Sequence, residues 1–142
     1  MKTLKTILFY LISFTWGLPM TLFGVVYGLV LLVTGHKPKR FHCFIYFEVG
    51  ENWGGFGAGC FFFCSKNSPF HLKQHESGHG IQNLIFGVFM PFVVSIPSCV
   101  RYWYREWLVR SGRKKQSALP EYDSVWFEGM ASRLGKKYFP NV

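Results

Sequence analysis

The chain has 142 residues, of which 49% are hydrophobic, 20% aromatic and 16% charged; this is one compact domain's worth of chain, and intrinsic disorder is excluded. Sixteen Lys and Arg against seven Asp and Glu leave a net charge of +9, a surplus that asks for an anionic partner, either a membrane surface or nucleic acid.

The first element favours the membrane. Ile7 to Val33 is 27 residues without a charge, where about 20 cross a bilayer as a helix. A cleaved signal peptide needs a shorter apolar core, about 7–15 residues, and small residues at a cleavage site. Here bulky Leu29, Leu31 and Leu32 run towards the basic stop His36-Lys37-Pro38-Lys39-Arg40, so a retained transmembrane anchor is expected. Gly17 and Pro19 fall mid-run and predict a kink, with a tight re-entrant hairpin as the alternative.

Phe41–Gly50 and Ala58–Ser65 are aromatic and β-branched runs separated by Glu51-Asn52-Trp53-Gly54-Gly55-Phe56-Gly57, and they predict a β-hairpin with a glycine-rich turn. Continuous apolar residues such as Phe61-Phe62-Phe63 require cover on both faces. A phosphate loop does not fit, because no Lys-Ser/Thr pair follows the glycines and a strand comes next.

Ser68-Pro69 predicts a helix start, with the Ser68 hydroxyl accepting from orphan N–H groups and Pro69 in the first helical position; Gly87 predicts its end. Gly87 to Tyr104 is a second apolar stretch, broken by Pro91 and Pro97, able to span or dip into a bilayer. In Arg101-Tyr102-Trp103-Tyr104-Arg105-Glu106-Trp107, arginines alternate with aromatic rings, as at a headgroup layer. Nucleic-acid binding through 101–115 is set aside because the preceding apolar stretch brings these side chains to a membrane surface. A last helix is expected over Ser124 to Lys137, capped by Asp123, with Trp126, Met130 and Leu134 on one face. Positive residues outnumber acids five to three from Gly35 to Gly80 and nine to four after Val100, which puts the folded part on the cytoplasmic side of a plasma (inner) membrane.

His75-Glu76-Ser77-Gly78-His79 is an H-E-x-x-H motif inside the helix that Ser68-Pro69 opens. Residues i and i+4 stack on one helix face, so both imidazoles can reach one zinc ion, while Glu76 stands beside the metal and can take a proton from a zinc-activated water. Given the His and Glu content, roughly 0.007 such motifs are expected by accident. The plainer alternative is two solvent-exposed or hydrogen-bonded histidines beside a surface glutamate. A catalytic zinc takes three protein ligands. Most acids are accounted for without one: Glu106 sits among arginines, Glu121 and Asp123 in a capping turn, Glu51 in the hairpin turn. Glu128 stands apart in Glu128-Gly129-Met130-Ala131-Ser132, whose small residues allow close helix approach.

These segments resemble the gluzincin branch of the zincin metallopeptidases, especially membrane-embedded members such as the CAAX prenyl proteases, over roughly residues 68–87 and 123–135. Those enzymes pair H-E-x-x-H with a later E-x-x-A-D helix. The resemblance implies metal ligands His75, His79 and Glu128, with Ser132 where the family has an aspartate supporting a ligand histidine. It also implies an edge strand beside the active-site helix holding extended substrate, here Ala58–Ser65.

The expected fold class is an α+β membrane protein: an anchor over 1–35, then a minimal zincin-like metalloprotease domain over 36–142 with a second membrane-associated segment at about 81–104. The expected function is a small integral-membrane zinc metallopeptidase that binds one Zn2+, cleaves a peptide or protein substrate and uses Glu76 as general base; the alternative is a non-catalytic, membrane-anchored peptide-binding scaffold. Gly78 and Gly80 weaken the helix and suggest an element packed hard against it. His71 reads as a surface histidine, with an extra ligand or proton shuttle as the alternative. Tyr122 and Tyr138 are both candidates to stabilise an oxyanion. Cys43, Cys60, Cys64 and Cys99 form no C-x-x-C pair and read as buried free thiols, with a Cys43 disulfide as the oxidising-compartment alternative.

Overall fold

Two uncharged stretches and a run of phenylalanines dictate the architecture, an α+β fold described over residues 2–140 in a computed structural model. Helices α1 (Lys2–Ser13) and α2 (Leu18–Val33) come first, then strands β1 (Lys39–Phe41), β2 (Phe44–Glu48), β3 (Gly55–Ala58) and β4 (Phe61–Cys64). Helices α3 (Phe70–Phe86), α4 (Ile96–Arg110) and α5 (Trp126–Tyr138) follow, with a π-helical turn at Pro91–Ser95 and a 3-10 turn at Tyr122–Ser124.

The single anchor helix expected over 7–33 is corrected to two helices, α1 and α2, bent by 93°. Pro19 sits in the first turn of α2, where its missing N–H costs nothing, and Gly17 lets the chain reverse against Asn83. The second apolar stretch is likewise not one straight helix, since α3 and α4 are bent by 117° around Gly87–Met90. Gly87 ends α3 as expected, at φ 55°, with its N–H on Asn83 O. Among the described residues no single helix is long and apolar enough to cross a membrane.

The expected hairpin is also corrected. The sheet order is β1-β2-β4-β3, and the two runs read as hairpin partners lie parallel, with Ile45 opposite Phe61 and Phe47 opposite Phe63. The antiparallel partner of β4 is β3, which lies inside the segment read as a turn; the chain reverses at Gly59, φ 68°, where a side chain would collide with Thr21. Ala58–Ser65 is therefore mostly an interior strand, and the edge beside α3 is β3, with β1 at the opposite edge. Both faces are covered, as the phenylalanine run required. Phe44, Tyr46 and Phe62 turn to one core with Phe9 and Phe139, while Phe47 and Phe63 turn to the other with Met20 and Leu31 of α2.

Helix α3 starts one residue later than expected. Pro69 is the cap in extended conformation, and the Ser68 hydroxyl donates to Ser65 O (2.7 Å) instead of capping. Helix α5 begins at Trp126 behind Val125, so Asp123 is not its cap. Trp126, Met130 and Leu134 share one face of α5 as expected, but the face turned inward is the neighbouring one, Phe127, Glu128, Ala131 and Gly135; Trp126 is exposed. The reason is close approach: a Cβ at Gly78 would fall on the Ala131 carbonyl, and one at Gly135 on the Gln74 carbonyl. All four cysteines are free thiols; Cys60 and Cys64 are buried, but Cys99 is exposed.

Candidate metal centre

On α3, one helical turn stacks His75 on His79, and their rings stand 4.8 Å apart, edge to face. The close α3–α5 contact brings Glu128 up to both rings. Glu128 Oε2 lies 2.8 Å from His75 Nε2 and 3.3 Å from His79 Nε2, and the donor atoms of the three residues all lie within 4.8 Å of one another. All three are buried, Glu128 completely at 0% exposure.

The surrounding hydrogen bonds decide where each imidazole carries its proton. Gln82 donates its amide N–H to Phe127 O (2.9 Å), so its carbonyl oxygen faces His79 Nδ1 at 2.7 Å and can only accept. Ser132 donates its O–H to Asp123 Oδ2 (2.6 Å), so its oxygen accepts from His75 Nδ1 (2.8 Å). Both neutral rings thus hold their proton at Nδ1 and turn an Nε2 lone pair towards Glu128 Oε2. The other carboxylate oxygen, Oε1, accepts from Ser98. With both rings neutral, three buried lone-pair donors converge with no N–H or O–H between them, so the space beside Glu128 Oε2 takes a positive charge, either a proton on an imidazole Nε2 or a metal ion. The His75, His79 and Glu128 group can hold a metal ion.

The electrostatics point the same way. Burial pushes the Glu128 carboxyl up, but hydrogen bonds from His75 and His79 outweigh it and hold the group well below the usual carboxylate range. Burial pushes His79 down, yet the hydrogen bond to Glu128 and the nearby Glu76 charge raise it to about 9. Glu76 is also buried, which lifts its carboxyl, with the two histidines opposing. Its Oε2 has no hydrogen-bond partner, and Gly55 on β3 packs so close that a Cβ there would lie 2.9 Å from Oε1.

A cleft of about 540 Å³ opens beside His75 and Glu76, lined by β3 at Gly54 and Gly55 and by Tyr122 and Asp123 opposite, while His79 and Glu128 lie beneath it. Of the two tyrosines singled out, Tyr122 lines the cleft, its ring 6.1 Å from His75, whereas Tyr138 is exposed and lies outside it. Arg101 stacks on the Tyr122 ring at 4.7 Å. Burial and the Glu128 charge raise the Tyr122 phenol, so it stays a proton donor. His71 is exposed at the mouth and outside the ligand group.

Gln82, Ser98 and the Ser132–Asp123 pair were not among the expected site residues. Gln82 had a readable signal, lying three residues after His79 on the same helix. Ser132 stands where the resembled family has an aspartate, and it passes the His75 hydrogen bond on to Asp123. Ser98 had none. Comparison with protein-family models, with curated proteins and with solved structures brings no match to this chain.

Proposed function

We propose that this chain is a zinc-dependent metallopeptidase that hydrolyses peptide or protein substrates at a membrane, on the cytoplasmic side. The observation that carries the reading is the convergence of His75 Nε2, His79 Nε2 and Glu128 Oε2 beside the unpartnered Glu76 Oε2. Two histidines and one glutamate are a ligand set suited to a catalytic zinc, which takes three protein ligands and keeps a fourth position for water or substrate. Bound zinc would polarise a carbonyl and make water nucleophilic near neutral pH.

The protein groups divide the remaining work. Glu76 Oε2 takes the proton of the attacking water and passes it to the departing amine. Ser132 and Gln82 hold the imidazoles at the right tautomer, and Ser98 fixes the carboxylate plane. Tyr122 donates to the oxygen that gains charge. Strand β3 pairs only with β4, so its outer edge is free to hold an extended peptide along the cleft. The membrane setting rests on the +9 charge and on the two bent apolar helix pairs.

Zinc analysis of detergent-purified protein, paired with hydrolysis of a peptide library, tests the proposal. Wild type is expected to carry one zinc per chain and to cleave; His75→Ala loses the zinc; Glu76→Gln keeps it and loses cleavage by about a hundredfold or more. Full cleavage by Glu76→Gln, or a wild type without stoichiometric zinc, refutes it.

A further inference from the structure

The two bends in the chain meet. Trp16, at the α1–α2 bend, stacks edge-on against Phe89 at the α3–α4 bend, with ring centroids 6.1 Å apart, and its indole N–H reaches Ile85 O at 3.4 Å. Asn83 donates to Gly17 O at 3.2 Å, and a side chain at Gly87 would collide with the Trp16 ring. The two apices therefore form one packed unit. Its outer surface is apolar: Phe92 is 72% exposed, Phe89 59% and Phe14 45%.

Charge is arranged around this apex. No Asp, Glu, Lys or Arg occurs from Thr6 to Gly35 or from Ser77 to Val100. Lys2 and Lys5 open the first pair, and Lys37 and Arg40 follow it. On α4, Arg101, Arg105 and Arg110 interleave with exposed Trp103, Tyr104 and Trp107, the composition of a headgroup layer. Three of the four legs carry a positive surplus at their outer ends, α3 holding Lys73 against Glu76, and all four run to a single apolar tip.

We propose that the two bends insert together as a wedge into one leaflet of an anionic bilayer, with both ends of each pair returning to the same side. In the first pair, leg length supports one leaflet. At 1.5 Å per residue, α1 with 12 residues and α2 with 16 are about 18 and 24 Å long; inclined equally across the 93° bend they descend about 13 and 17 Å. Half of a hydrocarbon core is about 15 Å. A second copy of the chain is a poorer occupant, because it would bring a like-charged rim against this one, whereas anionic headgroups neutralise it. His79 lies eight residues before Gly87, about 12 Å back along α3, so the metal centre sits between the apex and the leaflet surface. Insertion requires no metal, and its test reads no activity, so it stands or falls apart from the peptidase reading.

The test adds full-length protein to sealed vesicles of mixed phosphatidylglycerol and phosphatidylcholine. In a Cys99→Ser background, which serves as the blank, Lys5→Cys, Lys37→Cys and Arg113→Cys are each exposed to a membrane-impermeant maleimide from outside. All three are expected to label as fully before detergent as after it. Labelling of Lys5→Cys or Lys37→Cys only after detergent means a true span and overturns the proposal. Phe14→Asp and Phe92→Asp, at exposed positions, are each expected to weaken vesicle association about tenfold or more, while Tyr138→Asp, equally exposed but far from the apex, leaves it unchanged. Unchanged association of both apex variants, equal association with pure phosphatidylcholine, or a stable lipid-free dimer also overturns it.

Discussion

At the scale of single residues, the site is governed by who owns each proton. Gln82 and the Ser132–Asp123 pair leave both Nε2 atoms unprotonated in the neutral rings, so a proton and a metal ion compete for the space beside Glu128 Oε2. His79 is raised to about 9 without a metal, which means that binding must displace a proton over most of the physiological range. Apparent metal affinity is therefore expected to rise about tenfold per pH unit between pH 6.5 and 9, and to flatten above that. Competition against a chromophoric chelator across this window measures it. The stability of the metal-free protein runs the other way. A group raised from 6.5 contributes fully below its unfolded value, and that contribution is lost as pH rises through about 9. A pH-independent affinity would show that the imidazoles are not ligands.

At the scale of elements, the α3–α5 contact brings Glu128 to the two histidines. Gly78 touches the Ala131 carbonyl and Gly135 the Gln74 carbonyl, so a methyl group at either glycine pushes backbone against backbone, where no side-chain rotation relieves it. Gly78→Ala, which raises intrinsic helix propensity by about 1 kcal/mol, is nonetheless expected to destabilise the protein by about 1–3 kcal/mol. It should also weaken metal binding, because Glu128 is carried away from the histidines. Urea unfolding and a zinc titration on the same sample give both numbers; a more stable Gly78→Ala would mean that the helices are not in contact. The sheet shows the same dependence on long-range packing. Its strand content was readable from Phe44, Phe61 and Phe63, but the parallel pairing of β2 with β4 depends on β3 turning back at Gly59.

At the scale of the whole molecule, a bound metal would tie α3 to α5, elements 53 residues apart at His75 and Glu128. A ligand that binds only the folded state stabilises it by mass action, by about 4 kcal/mol at a thousandfold excess over Kd. Chelation is expected to lower the unfolding temperature of wild type by several degrees and to leave Glu128→Ala unaffected. Differential scanning calorimetry with and without EDTA reads the difference, and an identical response in both proteins would place any metal elsewhere.

Helix α3, its stop at Gly87, the stacking of His75 on His79 and the apolar character of both bent pairs could be read from the sequence, because each depends on neighbours within about four residues. The backbone's own 3.6-residue repeat settles such contacts wherever the helix is placed. Glu128 stood out from the other acids by elimination, but its approach to the imidazoles, the Gln82, Ser98 and Ser132–Asp123 supports, the 93° and 117° bends and the order of the strands were decided only by tertiary structure. Apart from Gln82 on His79 and Ser132 on Asp123, these contacts join residues far apart in the chain, and their geometry follows from which surfaces fit without voids or collisions, here glycine against carbonyl at Gly78 and Gly135.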